Sequence, residues 1–336
     1  MPHTENRQVV LVARPGDIPR EEHFELRSAP VPEPGEGQVL VRNRFLSVDP
    51  AMRGWVSTAA NYSEPVGLGE VMRSFAVGEV VRSRHEGYAE GQVVMGMFGW
   101  QELAAVDPSA IWRVVAEEDL SPSLSLGVLG LNGLTAWAGV RRVLRPRPGS
   151  TVVVSTAAGA VGSLVGQLAA QQGCRTVGIA GGPEKARRCE EEFGYDVGLD
   201  YRSPTFVEDL AAATPDGVDH YFDNTAGPIT DAVLQRLSVG ASVLVCGTAS
   251  VSSWDPWPTG PRVERVMLTR RARMEGFLAF DHLDALEDAV AELAGMVRDG
   301  QITVREHVLE GLDSAPGAIG MLYDGSNDGK LVIRLP

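Results

Sequence analysis

Cysteine is scarce. Cys174, Cys189 and Cys246 are the only three in 336 residues, an odd and scattered set that fits a reducing compartment rather than a disulfide framework. Three are also too few for a four-cysteine structural zinc cluster. Basic residues are in deficit: 30 Lys and Arg against 44 Asp and Glu leave a net charge of −14. A nucleic-acid partner would need a basic face, so none is expected. No apolar run reaches the length of a membrane span. Met1-Pro2-His3-Thr4-Glu5-Asn6 does not have the charged-then-apolar layout of a signal peptide. Internal repeats and low-complexity tracts are absent too. These absences point to a cytoplasmic protein with no membrane partner. The remaining composition, 44% hydrophobic and 22% charged, is that of a globular chain long enough for two cores.

The most informative stretch is 151–185. Thr151-Val152-Val153-Val154 is short, apolar and β-branched, as a buried parallel strand is. It runs through Ser155-Thr156-Ala157-Ala158-Gly159-Ala160-Val161-Gly162 into a small-residue helix, Ser163 to Gln172, and then a strand, Arg175 to Ala180. Strand, glycine turn, helix, strand is a dinucleotide-binding unit. Glycines allow the backbone close to a pyrophosphate, and the helix N-terminus turns unpaired N–H groups toward it. The first fingerprint glycine is replaced by Ala157, so the flanking elements rather than the glycines distinguish this from an ordinary tight turn.

The end of the second strand selects the cofactor. NAD-binding units carry an Asp or Glu there for the ribose 2′-hydroxyl. Here the chain reads Gly181-Gly182-Pro183-Glu184-Lys185-Ala186-Arg187-Arg188. No carboxylate stands at the strand end, three cations follow, and Glu184 is expected to face solvent. The pattern predicts NADPH, against the alternative of a solvated basic helix face.

Residues 8–120 read as strand-rich, with Val39–Val41, Glu79–Val81 and Gln92–Met95 set between Pro/Gly turns. Helix is predicted over Ser125–Val143, strands over Asp219–Phe222 and Ser242–Cys246, and an amphipathic helix over Leu283–Arg298. From Thr303 the chain turns to short strands again. The expected fold is α/β: a Rossmann doubly wound parallel sheet plus a strand-rich domain. The boundaries read as a substrate domain over 1–122, a nucleotide domain over 123–298, and a segment over 299–336 that returns to the first domain.

Eight segments in order carry a resemblance: Ser47 to Gly54, Gly69 to Arg73, Gly133 to Ala136, Ala157 to Gly162, Gly181 to Lys185, Tyr221 to Asn224, Cys246-Gly247, and Gly325 to Lys330. The chain resembles the zinc-free medium-chain dehydrogenase/reductase superfamily, in its leukotriene/prostaglandin reductase, alkenal double-bond reductase and curcumin-reductase-like family. The resemblance implies that the first domain is GroES-like, with a cleft between it and the Rossmann domain. It also implies a homodimer and NADPH-dependent reduction of the carbon–carbon double bond of α,β-unsaturated aldehydes and ketones. By motif, Gly159, Ala160, Val161 and Gly162 would line the pyrophosphate, Lys185 and Tyr201 would hold the 2′-phosphate, and Asn224 would sit by the adenosine side or the adjacent ribose. Thr135, Cys246 and Gly247 would join the cofactor site, Phe277 and Leu278 would border the nicotinamide, and Asn327 would close the site. For Tyr201, Phe277 and Asn327 the competing reading is packing or a turn.

Zinc relatives of the superfamily place a ligand Cys where this chain has Ser47-Val48-Asp49-Pro50, and a His-Glu pair where it has Gly69-Glu70. His85-Glu86-Gly87 follows its strand instead of preceding it and reads as a surface turn. No metal is expected. The substrate oxygen then needs a hydrogen-bond donor as it gains charge. Family donors are the nicotinamide ribose hydroxyl and a tyrosine. The family's later tyrosine is missing from Ser250-Val251-Ser252-Ser253-Trp254, and Asn132 stands where relatives commonly have proline. Tyr62, in a loop that the family's topology turns toward the cleft, is the phenol best placed to serve; its competing reading is a packed loop residue. Trp55, Trp254 and Trp257 read either as apolar pocket walls or as loop anchors. Two other readings stay open, a quinone oxidoreductase and a non-catalytic NADPH-binding sensor.

Overall fold

In the computed structural model, which describes residues 5–59, 63–251, 256 and 258–336, the chain divides into two units. One holds the chain up to Gly127 together with Glu306–Pro336, the other Val128–Arg305. Tyr62, Trp254 and Trp257 lie outside the described residues.

The first unit is built from β-branched runs broken by turns. Strands β1 (Glu5–Leu11) and β2 (Phe24–Pro30) form an antiparallel pair. Then come β3 (Val39–Ser47), the short helix α1 (Ala51–Trp55), β4 (Phe75–Ser83), β5 (Val93–Met97), β6 (Leu103–Val106) and β7 (Ile111–Val114). Trp55 is buried on α1, and its carbonyl accepts from the Val66 N–H at 2.8 Å. His85 closes a surface turn by accepting from the Gly87 N–H at 3.0 Å.

The second unit supplies α2 (Leu131–Ala138), β8 (Thr151–Ser155), α3 (Gly162–Gln171), β9 (Arg175–Ala180), α4 (Pro183–Glu191), β10 (Val197–Asp200), α5 (Phe206–Ala213) and β11 (Val218–Asp223). It continues with α6 (Gly227–Leu234), β12 (Leu237–Val245), α7 (Glu264–Arg270), β13 (Arg273–Gly276) and α8 (Leu286–Arg298). Among the described residues its strands form one parallel sheet in the order β10-β9-β8-β11-β12-β13. Strand order reverses between β8 and β11, and in a doubly wound sheet the crevice at the carboxyl ends of such strands is where ligands bind. Val153, Val177 and Ile179 of the sheet pack with Phe206 and Leu210 of α5 and Val233 and Leu234 of α6.

Two helices differ from expectation. The predicted Ser125–Val143 helix is broken: a 3-10 turn ends at Leu126, α2 begins at Leu131, and a π-helical turn, Gly139–Leu144, follows it. Gly127 (φ −121°, ψ −108°) and Gly130 (φ −140°, ψ −146°) adopt backbone no helix contains. The second helix starts at Leu286 rather than Leu283, because Ala279–Ala285 winds as a 3-10 segment and Ala285, at φ −99° and ψ 2°, leaves the α-helical backbone just before it.

The chain stays in the second unit through Thr303, whose N–H and C=O both bond the Gln167 side chain. It then re-enters the first unit as β14 (Glu306–Glu310), α9 (Ala315–Asp324) and β15 (Lys330–Arg334). β15 runs parallel to β14 and antiparallel to β3, with Val332 opposite Ser47. The ten-residue α9 has no strong sequence signal. It is stabilised by burying Ala315, Ala318 and Ile319 rather than by propensity.

Candidate functional site

At the end of β8 the chain turns sharply, with Thr156 at φ +55°. Gly159 N–H closes the turn on Thr156 O at 2.9 Å. A Cβ on Gly162 would lie 2.3 Å from that same oxygen, so this glycine is required by the turn's own packing as well as by any ligand. The Tyr195 phenol donates to Gly162 O at 2.6 Å, and its ring lies so close to Gly166 that a Cβ there would be 2.1 Å from Cζ. Tyr195 therefore fixes the start of α3. No side chain caps α3, and in its first turn the Ser163 N–H donates to Gly159 O at 3.0 Å; a helix start that follows a glycine turn is a place suited to an anion.

At the next strand end the backbone is again glycine-shaped. β9 ends at Ala180, Gly182 has φ +99°, and Pro183 opens α4. Tyr201 N–H donates to Ala180 O at 3.1 Å, and the Tyr201 ring rests against Gly181, where a Cβ would meet Cε1 at 3.0 Å. A carboxylate does stand near this end, Asp200, but Oδ1 accepts the N–H of Gly182 (2.8 Å) and of Arg202 (2.9 Å). It shapes the loop. Of the three cations that follow, Arg187 pairs with Glu191 at 3.4 Å, and Arg188 with Glu184 at 3.1 Å and Glu192 at 3.6 Å. Glu184 is exposed, as expected. Lys185 stands in the first turn of α4.

At the reversal point, Asn224 ties β11 to β8: its N–H donates to Ser155 Oγ (2.8 Å) and its Nδ2 to Ser155 O (2.7 Å). That orientation leaves Oδ1 as the acceptor end of the amide. Asp223, buried, organises the loop that follows. Its Oδ1 accepts from the N–H of Thr225 and of Ala226, both at 2.9 Å, and its Oδ2 from Thr230 Oγ1 at 2.6 Å. These bonds hold Ala226 at φ +58°, ψ −164°, a conformation that costs of order 1–3 kcal/mol for a residue with a Cβ. The N–H groups of Cys246 and Gly247 both donate to Asp223 O, at 2.8 and 3.1 Å. Burial, and then the Asp223 carboxylate, push the Cys246 thiol up to about 12, so it is no thiolate nucleophile near neutral pH.

The remaining sequence-predicted residues divide by unit. In the second unit, Thr135 on α2 donates to Leu131 O at 2.7 Å. Phe277 follows β13, buried and stacked on His282 at 5.1 Å, while Leu278 is exposed. Gly159 to Gly162, Asn224, Cys246, Gly247, Phe277 and Leu278 thus follow the carboxyl ends of β8, β11, β12 and β13. Lys185 and Tyr201 stand past the ends of β9 and β10. Asn327 belongs to the first unit, where Nδ2 donates to Gly329 O at 3.1 Å.

Also in the first unit, and missed from sequence, is a buried ion cage. Lys330 Nζ donates to Ser47 Oγ (2.6 Å), Val48 O (3.0 Å) and Asp49 Oδ1 (2.7 Å). Three donors meet three acceptors. The next residues are held by the same tail: Tyr323 Oη donates to Pro50 O at 3.0 Å, and the Arg53 guanidinium lies 5.4 Å from the Tyr323 ring centre. Only Lys185 and Lys330 among the chain's 30 basic residues are lysines. In the cage a compact ammonium fits where a planar guanidinium would not. Among the described residues no three His, Cys, Asp or Glu side chains are grouped to hold a metal.

A glycine turn leading into a helix start, and a second strand end whose nearby carboxylate is committed to backbone N–H groups, define a dinucleotide-binding protein. The family described as the N-terminal domain of oxidoreductase matches residues 7–114, and that described as zinc-binding dehydrogenase matches residues 160–294. The NADPH-dependent curcumin reductase of Escherichia coli is 41% identical over 98% of this chain and 97% of its own length. The NADP(+)-dependent 2-alkenal reductase of Nicotiana tabacum is 35% identical, with the same two shares. The crystal structure of CurA from Vibrio vulnificus in complex with NADPH superposes with a TM-score of 0.93 at 38% identity, over 98% of this chain and 99% of that one. The chain belongs to the medium-chain dehydrogenase/reductase superfamily, in the family of the NADPH-dependent curcumin, alkenal and prostaglandin reductases.

Proposed function

We propose that this protein is an NADPH-dependent reductase that transfers a hydride to the carbon–carbon double bond of α,β-unsaturated aldehydes or ketones without zinc. The cofactor is NADPH. The residues present fit it: the end of β9 offers Gly181 and Gly182 in place of an acid, Asp200 is committed to backbone N–H groups, and Lys185 and Tyr201 stand alongside to take the 2′-phosphate. Gly159, Ala160, Val161 and Gly162 take the pyrophosphate. Asn224, Thr135, Cys246, Gly247, Phe277, Leu278 and Asn327 complete the cofactor assignment.

The observation that carries the zinc-independent reading is the Lys330 cage. Where zinc relatives place a ligand Cys, this chain has Ser47, Val48 O and Asp49 gathered round a buried ammonium. A divalent ion there would be repelled by that charge.

Bound NADPH supplies the hydride. The protein's task is to stabilise charge on the substrate carbonyl oxygen and to deliver a proton to the α-carbon. A donor aimed at the developing enolate oxygen is worth about 3–4 kcal/mol, and Tyr62 is our candidate for that donor. Among the described residues no helix is long and apolar enough to cross a membrane, in keeping with a cytoplasmic enzyme of small molecules. β13 leaves one edge unpaired among the described residues, with Met274 on it and Leu268 of α7 exposed. That edge is our candidate for a homodimer contact.

Incubation with NADPH and a small panel of enones, enals and quinones, followed by nicotinamide absorbance, tests the activity. Oxidation of NADPH with saturation of the enone double bond is expected. Turnover of quinones alone would replace the reading with a quinone oxidoreductase, and no turnover would favour an NADPH-binding sensor. Dialysis against a strong chelator is expected to leave activity intact. Stoichiometric zinc, with activity lost on its removal, would overturn the metal assignment.

A further inference from the structure

The basic run of α4 looks in sequence like a three-cation phosphate clamp, but two of its members are committed elsewhere. Arg187 and Arg188 are drawn onto Glu191, Glu184 and Glu192. Lys185, half-buried in the first turn of α4, offers a phosphate one point charge without the paired N–H groups of a guanidinium, a weak basis for discrimination between two cofactors.

A further cation stands on the other side of the same strand end. Arg202 directly follows Tyr201, and its guanidinium lies 5.6 Å from the Tyr201 ring centre. The ring in turn lies against Gly181, so guanidinium, phenol and glycine turn come together at one place. Asp200 locks that arrangement from beneath. One carboxylate oxygen accepts both the Gly182 N–H and the Arg202 N–H, joining the turn after β9 to the turn after β10. Of the charged residues near this strand end, Lys185 stands in the first turn of α4 and Arg202 follows β10, while Asp200 is held on the backbone and Glu184 is exposed and turned to Arg188.

We infer that Arg202 is a specificity-determining residue that, with Lys185, recognises the 2′-phosphate of NADPH, its guanidinium pre-positioned by its contact with Tyr201. A planar guanidinium offers two parallel N–H groups to a phosphate, and contact with an aromatic ring limits the conformational freedom lost on binding. The inference rests on placing the 2′-phosphate at this strand end.

The test is binding, read by titration calorimetry at fixed salt with NADPH, NADH and adenosine 2′,5′-bisphosphate. Arg202→Ala should raise the Kd for NADPH and the bisphosphate about five- to twentyfold and leave NADH within about twofold. Arg202→Lys should recover only part of the loss. Equal weakening of NADPH and NADH would make Arg202 a structural residue and overturn the inference. So would an NADPH Kd unchanged in Arg202→Ala. Lys185→Ala separates the two layers. If it erodes the NADPH preference while Arg202→Ala does not, only Arg202 is wrongly assigned. If neither variant does, the placement of the phosphate itself is wrong.

Discussion

Lys330→Met is expected to lower the unfolding free energy of the first unit by about 3–5 kcal/mol. Removing one member of a buried pair leaves the other charged and unsolvated. Lys330 and Asp49 are both buried, and the ammonium also satisfies Ser47 Oγ and Val48 O. Methionine keeps the length and apolar stem, so little of the loss would come from packing. Trp100 reports on the site directly, because its indole N–H donates to Ser47 O at 3.1 Å. Urea unfolding followed by tryptophan fluorescence measures the effect. The double variant Lys330→Met, Asp49→Asn should regain part of it by removing the stranded charge. A loss below about 1 kcal/mol would mean that Asp49 finds solvent or another partner in the variant.

Tyr62→Phe should lower kcat roughly ten- to a thousandfold and leave NADPH affinity nearly unchanged. The variant keeps the ring and removes the hydroxyl, so a loss confined to turnover identifies a hydrogen bond made in the transition state. The case for Tyr62 is one of position in the sequence: it lies between Ser47–Gly54 and Gly69–Arg73, and the family's later tyrosine is absent. Single-turnover measurements with an enal isolate the chemical step. An unchanged rate under those conditions would retire Tyr62 and leave the nicotinamide ribose hydroxyl and solvent as donors.

Much of the nucleotide-binding unit was legible because its signals are local. β9 spans Arg175–Ala180 as read from the sequence, and α3 spans Gly162–Gln171 against a prediction one residue later at each end. A buried parallel strand needs a run of apolar residues, and a glycine turn needs glycines, so both leave marks within ten residues. Helix continuity was less legible. Ser125 to Val143 is apolar enough for one helix, and it breaks because Gly127 and Gly130 take up non-helical backbone that composition cannot reveal. Within the glycine turn the reading was incomplete rather than wrong. Gly162 is required by its approach to Thr156 O, a contact inside the fold, in addition to any contact with a ligand.

The sequence by itself determined the two-part α/β architecture, the dinucleotide turn, and the missing acid that turns the second strand end toward a 2′-phosphate. Each depends on residue type at a short spacing. Tertiary structure decided which charges are free to act and which are consumed. Arg187 and Arg188 face their own helix's carboxylates, Asp200 bends back to two backbone N–H groups, and Arg202 comes to lie over Tyr201. Lys330 meets Asp49 across 281 residues because β15 docks antiparallel to β3, setting Val332 opposite Ser47. Sheet register brings those two charges together, and register is a property of the folded pair of strands that no window of sequence contains.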